Sequence, residues 1–221
     1  MDASSNMNEI LVLGDSHTPI FNHPAFRRHF PDIIFNVVTV IGATASGLEN
    51  PNTKTQAYPI FKKALNQSVA NHVIIMLGEV DTGFVIWYRA NKYQESVSVM
   101  MERAITSYGN FLKEVSKRFD VVCISTPLPT IQDDNDWGDV ANARKEVTAS
   151  LSERTSLTLQ FNRYIQSFCD QHSISYLMLD GECIGQDGVI SNQLVNSDPN
   201  NHHYDPDSYS QLLIKNLATL L

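Results

Sequence analysis

Two residues near opposite ends of the chain, a serine and a histidine, have side chains that could do covalent chemistry together. Ser16 stands in the stretch Leu-Val-Leu-Gly-Asp-Ser-His, where an apolar run breaks at Gly14. A serine hydroxyl is a poor nucleophile unless an imidazole accepts its proton. His17 is adjacent to Ser16, and its side chain is expected to project differently. Ser16 is therefore either a nucleophile that needs a distant histidine or a simple cap after a strand.

The pair His202 and His203 is the best candidate for that distant partner among the 7 histidines. The pair directly precedes a predicted helix, in which Asp205 is the cap and Pro206 belongs to the first turn. The predicted buried face of this helix consists of Tyr209, Leu212, Leu213, Leu217 and Leu220. We expect no metal at the histidine pair, because adjacent imidazoles rarely point at one ion.

Five short apolar runs predict the strands that must position these residues. Runs of aliphatic and β-branched residues are typical of strands that are buried on both faces. The runs span residues 9–15, 33–40, 72–78, 120–126 and 174–180. Helical spacing of apolar residues lies between them, with one stripe formed by Tyr93, Val97, Met100, Ala104, Tyr108, Phe111 and Val115. Strands that alternate with crossover helices predict an α/β fold, a doubly wound, flavodoxin-like parallel sheet in the order 2-1-3-4-5.

Length and charge restrict the domain count and the partners. The 221 residues, 43% of them hydrophobic, predict a single domain over residues 1–221. The polar stretch 127–150 is longer than usual connections and is interpreted as a lid or a long loop. A net charge of -8 argues against nucleic acid and membrane surfaces as partners. The chain has neither a visible signal peptide nor a membrane-spanning apolar run, which predicts a cytoplasmic protein.

The strand ends carry the remaining candidate residues. Gly42 ends the second predicted strand, and the third ends in Gly78, Glu79, Val80 and Asp81. In open α/β sheets the ligand crevice lies outside the carboxyl ends of the strands. These residues are therefore expected to lie near Ser16.

In these blocks the sequence resembles the SGNH, or GDSL, hydrolases, a superfamily of esterases, lipases and carbohydrate deacetylases with a flavodoxin-like fold. Their first block, Gly-Asp-Ser, is matched by Gly14, Asp15 and Ser16. The resemblance implies that Ser16 is the nucleophile and that its backbone N–H lies in the oxyanion hole. It implies that the N–H of Gly42 is the second donor.

The last block of the family places a histidine six residues before a tyrosine or a similar apolar residue. Counting back from Tyr209 selects His203 as the implied general base, with His202 as the alternative. The family has an aspartate three positions before this histidine, where this chain has Asn200. Asp198 stands five positions before His203 and is the favoured acid, with Asn200 as the alternative.

The third block also departs from the family pattern. The family has Gly-x-Asn-Asp, with the asparagine as an oxyanion donor, but Val80 replaces it here and cannot donate. Loss of one such donor typically lowers the rate about 10²- to 10³-fold. Arg89 is the candidate substitute in the oxyanion hole.

Four further residues are candidates for substrate binding: Asp15, Glu79, Asp81 and Trp87. For Glu79 and Asp81 a structural role as loop braces is the stronger alternative, and for Trp87 core packing is equally compatible with the sequence. The resemblance implies a serine esterase or deacetylase that hydrolyses a small, acetyl-like ester on a polar metabolite or glycan, without a cofactor. Two alternatives stay open: an acyltransferase that uses the same serine, and a catalytically silent module that binds a glycan or an acyl group.

Overall fold

The computed structural model describes residues 8–133 and 147–221. These residues form one sheet of five parallel strands in the order β2-β1-β3-β4-β5. The strands are β1 (Asn8–Gly14), β2 (Ile33–Thr39), β3 (His72–Met76), β4 (Asp120–Ile124) and β5 (Ser175–Leu177). The predicted α/β class and strand order are confirmed.

Helices cover both faces of this sheet. They are α1 (Pro24–His29), α2 (Ala57–Gln67), α3 (Ile86–Tyr93), α4 (Val97–Ser116), α5 (Leu151–Gln171), α6 (Asp180–Cys183) and α7 (Pro206–Leu217). Two 3₁₀ turns span Thr18–Asn22 and Ala45–Gly47, and a π-helical turn, Asp81–Val85, precedes α3. Within the two described ranges, none of the helices combines the length and apolar character required to cross a bilayer.

The alternating side chains of β1 enter two separate cores. Leu11 and Leu13 pack in one core, and Ile10 and Val12 pack in the other. The first core includes Phe61 of α2, Tyr108 of α4 and Phe161 of α5. The second includes Phe26 of α1 and Leu213 of α7. Burial on both faces explains why the strand sequence is continuously apolar rather than alternating.

Local capping signals set the helix boundaries. The Asp205 carboxylate accepts the backbone N–H of Ser208 at 2.9 Å, so α7 begins as predicted. The prediction that Tyr93 belongs to the buried stripe of the long helix is wrong, because Tyr93 ends α3 and is 55% exposed. Gln94 follows in the left-handed conformation, and Ser96 caps α4. The helical spacing of apolar residues thus continues from α3 into α4, although the backbone breaks between the two helices.

The stretch predicted as a lid or long loop is only partly described, because residues 134–146 lie outside the described residues. On its two sides the chain is tied to α5 by Arg154, which is buried. Arg154 Nη2 lies 3.0 Å from Asp133 Oδ1, and its Nε donates to the carbonyl oxygen of Ala149 at 3.2 Å. The described residues on the two sides of this stretch therefore both contact the side chain of Arg154.

Candidate active site

The candidate site lies at the carboxyl edge of the sheet, where β1 ends between β2 and β3. Gly14 pairs with Thr39 on one side and with Met76 on the other. A Cβ atom at Gly14 would lie 2.1 Å from the carbonyl oxygen of Met76, so only a residue without a side chain fits. Ser16 follows directly, at the switch point where doubly wound sheets bind their ligands.

A hydrogen-bonded turn holds the residues on both sides of Ser16. Asp15 Oδ1 accepts the backbone N–H of His17 and lies 3.0 Å from His17 Nδ1, the backbone bond also being 3.0 Å. Asp15 is fully buried, and His17 is 4% exposed. The Asp15 carboxylate is directed to His17 and does not line the cavity described below. The expected contact of Asp15 with substrate is therefore not supported by the structure.

A second turn of the same kind holds His203. Asn201 Oδ1 accepts the backbone N–H of His203 at 3.0 Å and lies 2.9 Å from His203 Nδ1. The bond from the backbone N–H identifies this side-chain atom as the amide oxygen, which only accepts. The Nδ1 atom of His203 therefore carries the proton, and its Nε2 atom keeps the lone pair that a general base needs.

Ser16 and His203 line the same cavity, which has a volume of about 480 Å³. Ser16 is half-buried, so its hydroxyl is at the wall of an accessible space rather than in the core. The remaining lining residues are His17, Pro19, Ile20, Asn22, His23, Asn196, Asn201, Tyr204, Pro206 and Tyr209. The fold thus brings the serine of the first block and the histidine of the last block to the same cavity.

His202 lies beside this cavity without lining it. Its ring centroid is 4.1 Å from that of His203 and 6.3 Å from that of His17. Its carbonyl oxygen accepts the hydroxyl of Thr130 at 2.6 Å. Of the two candidate bases, His203 is the one that shares a cavity with Ser16.

The acid of the sequence-based prediction has other partners. The carboxylate of Asp198 is exposed and accepts the backbone N–H of Asn200 at 2.9 Å. Neither Asp198 nor Asn200 is the residue that holds His203 Nδ1, because that partner is Asn201. The expectation that Asp198 orients the imidazole is thus replaced by an uncharged partner that sequence reasoning missed. The available signal was the spacing Asx-x-His, in which the side chain reaches the backbone two residues on.

Gly42 lies in a tight turn after β2, with φ +71°, a left-handed conformation that favours glycine. The loop that follows is fixed from the other side of β1 by Asp81. Asp81 Oδ2 accepts the N–H of Ala45 at 2.6 Å, and its Oδ1 accepts the N–H of Ser46 at 3.0 Å. Gly42 does not line the cavity of Ser16, and its role as an oxyanion donor stays a prediction.

Asp81 is a brace of this loop and not a substrate contact. Burial raises the pKa of Asp81 to about 6, while hydrogen bonds from Ser46 and Ala45 and the charge of Arg89 oppose the rise. Arg89 Nη1 donates to the Ser46 hydroxyl at 3.0 Å. The guanidinium thus supports the brace, and these contacts do not bring it to the cavity of Ser16, where the sequence analysis expected an oxyanion donor.

Glu79 and Trp87 lie outside the Ser16 cavity as well. Glu79 is buried. Trp87 Nε1 donates to the carbonyl oxygen of Thr82 at 2.7 Å, and the indole lines a separate cavity of about 500 Å³. Neither side chain lines the cavity that contains Ser16, and a substrate role for either stays a prediction. Val80 is half-buried at the start of the same helical segment and supplies no side-chain donor.

Among the described residues, no group of three or more histidine, cysteine, aspartate or glutamate side chains could hold a metal ion.

No protein-family model matches the sequence, and no curated protein matches it either.

Solved structures do resemble the chain. A GDSL-like lipase from Bacteroides thetaiotaomicron VPI-5482 superposes with a TM-score of 0.58 at 14% identity, over 100% of this chain and 92% of the other. An acetyl xylan esterase gives a TM-score of 0.61 at 8% identity, over 96% and 99% of the two chains. A carbohydrate acetylesterase from Sinorhizobium meliloti, Est24, gives 0.57 at 15% identity, over 97% and 100%. With its strand order and the Gly-Asp-Ser block at the end of β1, the chain has the fold of the SGNH hydrolases.

Proposed function

We propose that the protein is a serine esterase or deacetylase that hydrolyses a small O-acyl ester, such as an acetyl ester, on an uncharged polar alcohol or glycan. The observation that carries the proposal is the shared cavity of Ser16 and His203. The tautomer of His203, with its proton on Nδ1 towards Asn201, is the one that a general base requires.

In the proposed reaction, the Oγ of Ser16 attacks the ester carbonyl while Nε2 of His203 takes the hydroxyl proton. The backbone N–H groups of Ser16 and Gly42 stabilise the oxyanion of the tetrahedral intermediate. The imidazolium returns its proton to the leaving alkoxide, which leaves an acyl-serine. Water, deprotonated by the same imidazole, hydrolyses that ester, so that the products are the alcohol and the carboxylic acid.

The lining of the cavity supports an uncharged substrate. The described residues that line it include neither lysine nor arginine, and neither aspartate nor glutamate. Asn22 and Asn196 offer hydrogen bonds to hydroxyl groups, while Pro19 and Ile20 supply apolar surface. Two of the structural neighbours are an acetyl xylan esterase and a carbohydrate acetylesterase, which agrees with an acetylated sugar as substrate class.

The valine at position 80 favours a modest rate of ester hydrolysis, because its side chain cannot donate a hydrogen bond to the oxyanion. An asparagine at this position would add a third oxyanion donor, and removal of one donor typically costs about 2.7–4 kcal/mol of transition-state stabilisation. A protein in which this loss is complete would keep the cavity for binding without turnover. The same serine could also pass the acyl group to a hydroxyl acceptor instead of water.

A fluorophosphonate probe tests the nucleophile directly. We expect covalent labelling of the wild type at Ser16 and serine-dependent release of p-nitrophenol from p-nitrophenyl acetate. Ser16→Ala is expected to abolish both signals, because it removes the proposed nucleophile. Ser98→Ala, a change of an exposed serine in α4, is the matched control and is expected to keep both.

Equal labelling of the wild type and Ser16→Ala would overturn the proposal. The absence of any labelling or turnover would favour a binding module. Labelling without hydrolysis, together with acetyl transfer to added sugar hydroxyls seen by mass spectrometry, would favour an acyltransferase.

A further inference from the structure

The turn at Asp15 has a second feature besides its place next to the nucleophile: it prepares an imidazole in the same way as the turn at Asn201. In both turns one side-chain oxygen receives the backbone N–H and the Nδ1 of the histidine two residues on. The oxygen belongs to a carboxylate in Asp15 and to an amide in Asn201. An ionised carboxylate only accepts hydrogen bonds, so His17 Nδ1 carries the proton in that pair.

The two imidazoles are in contact. The ring centroids of His17 and His203 are 4.7 Å apart, with an angle of 58° between the ring planes. Both rings line the cavity that contains Ser16. A charge on the Asp15–His17 pair, which is itself buried, therefore acts on the half-buried His203 across one ring contact.

The carboxylate of Asp15 is only partly compensated by hydrogen bonds. Its Oδ1 receives both bonds from His17, whereas its Oδ2 is buried and has no hydrogen-bond partner among the described residues. A buried negative charge with one bare oxygen stabilises nearby positive charge more strongly than an exposed one.

We propose that Asp15, acting through His17, supplies the negative charge that stabilises the His203 imidazolium, a role that Asn201 cannot fill. This inference rests on the proposed function, and it makes Asp15 and His17 positioning residues rather than groups that touch the substrate. The acid and the hydrogen-bond partner of the base are then two different residues.

Among the residues that the structure describes, the other titratable groups near His203 do not offer this charge. His202 packs against it with a centroid distance of 4.1 Å. Burial raises the pKa values of Tyr204 and Tyr209 well above the usual range, so both phenols stay neutral. At the rim, His23 Nε2 lies 3.3 Å from Asp207, whose side chain is 82% exposed and screened by water.

The decisive variant is Asp15→Asn, because an asparagine keeps an oxygen for the two His17 bonds and removes the charge. Loss of a nearby negative charge lowers the pKa of an imidazole. We expect the acidic limb of the kcat/KM profile to move to lower pH by about one unit, and the plateau to fall about tenfold, with KM little changed. The measurement is p-nitrophenyl acetate hydrolysis from pH 5 to 9.

Rescue distinguishes an electrostatic role from a structural one. Asn201→Asp places a carboxylate on His203 Nδ1, so in the Asp15→Asn background we expect it to restore about tenfold in the plateau and to return the limb towards higher pH. In the wild-type background, Asn201→Asp is expected to raise the plateau of kcat/KM much less, because Asp15 already supplies the negative charge. Asp207→Asn is the matched control for loss of a carboxylate near the cavity and is expected to leave the limb in place.

An unchanged limb in a folded Asp15→Asn protein, or equal gains from Asn201→Asp in both backgrounds, would overturn the inference. If Asp15→Asn does not fold, His17→Gln replaces it in the same cycle, because it removes the ring that connects Asp15 to His203. Fluorophosphonate labelling of the wild type separates the two proposals: with Ser16 labelled, a failed rescue contradicts only the role of Asp15.

Discussion

Two turns meet at the candidate site, one after β1 and one before α7, and each holds a histidine by the same pair of hydrogen bonds. The turn of Asp15 is fully buried at the edge of the sheet, and the turn of Asn201 is half-buried beside the cavity. The charged side chain therefore sits where water cannot screen it, and the neutral one touches the proposed base. In the proposed arrangement, hydrogen-bond geometry and charge, usually combined in one acidic residue, are divided between two segments.

The largest effects are expected when each of the two histidines is replaced by glutamine. If His203 is the general base, His203→Gln is expected to lower kcat/KM for p-nitrophenyl acetate about 10²- to 10⁴-fold. His17→Gln is expected to cost about tenfold, because it acts only through its neighbour. Both proteins are compared at pH 8 after their thermal unfolding has been checked. A larger loss of kcat/KM for His17→Gln than for His203→Gln would make His17 the general base and His203 the supporting residue.

The second test compares the two turns as structural elements. Asp15→Ala leaves the backbone N–H and Nδ1 of His17 buried without their acceptor, and a buried unsatisfied group costs about 1–3 kcal/mol. Asn201→Ala exposes the equivalent groups of His203 to water, and we expect about 0.5–1.5 kcal/mol, the typical net value of a hydrogen bond.

Urea unfolding of both variants at pH 7 gives the two values. Equal losses of unfolding free energy would show that burial does not separate the turns.

The smallest effect is expected for Asp198→Asn, which removes the acid that the sequence favoured. Asp198 is exposed and its contacts go to Asn200, so we expect unfolding free energy within about 0.5 kcal/mol of the wild type. We expect kcat/KM within about twofold, measured side by side with the wild type. A loss of tenfold or more would return Asp198 to the role of the acid.

Most of the fold could be predicted from local patterns. The five strands and their order follow from continuous apolar runs and from the right-handed crossovers between parallel strands. The predicted helix boundaries were less accurate where a capping residue interrupts a continuing helical spacing of apolar residues, as between Tyr93 and Val97. β5 is shorter than its apolar run, since Asp180 already begins α6.

The site was less predictable than the fold. Ser16 and His203 could be named as candidates because one stands at a strand end and the other before a capped helix, and the spacing to Tyr209 favoured His203 over His202. Asp81 and Arg89 were expected near the substrate, yet they hold the loop after β2. Their partners are backbone groups and a hydroxyl that any sequence could supply, so residue type alone could not identify them.

Local sequence patterns are sufficient to predict the parallel sheet, the glycine that lets β1 end against its neighbour, and the side chains available at the two turns. Three features are visible only in the folded chain: His17 packs against His203, Asn201 accepts a hydrogen bond from the His203 backbone, and Asp15 is buried. These are contacts between the two ends of the chain, and their distances depend on how α7 packs on the sheet. Local periodicity and spacing carry no information about such distances.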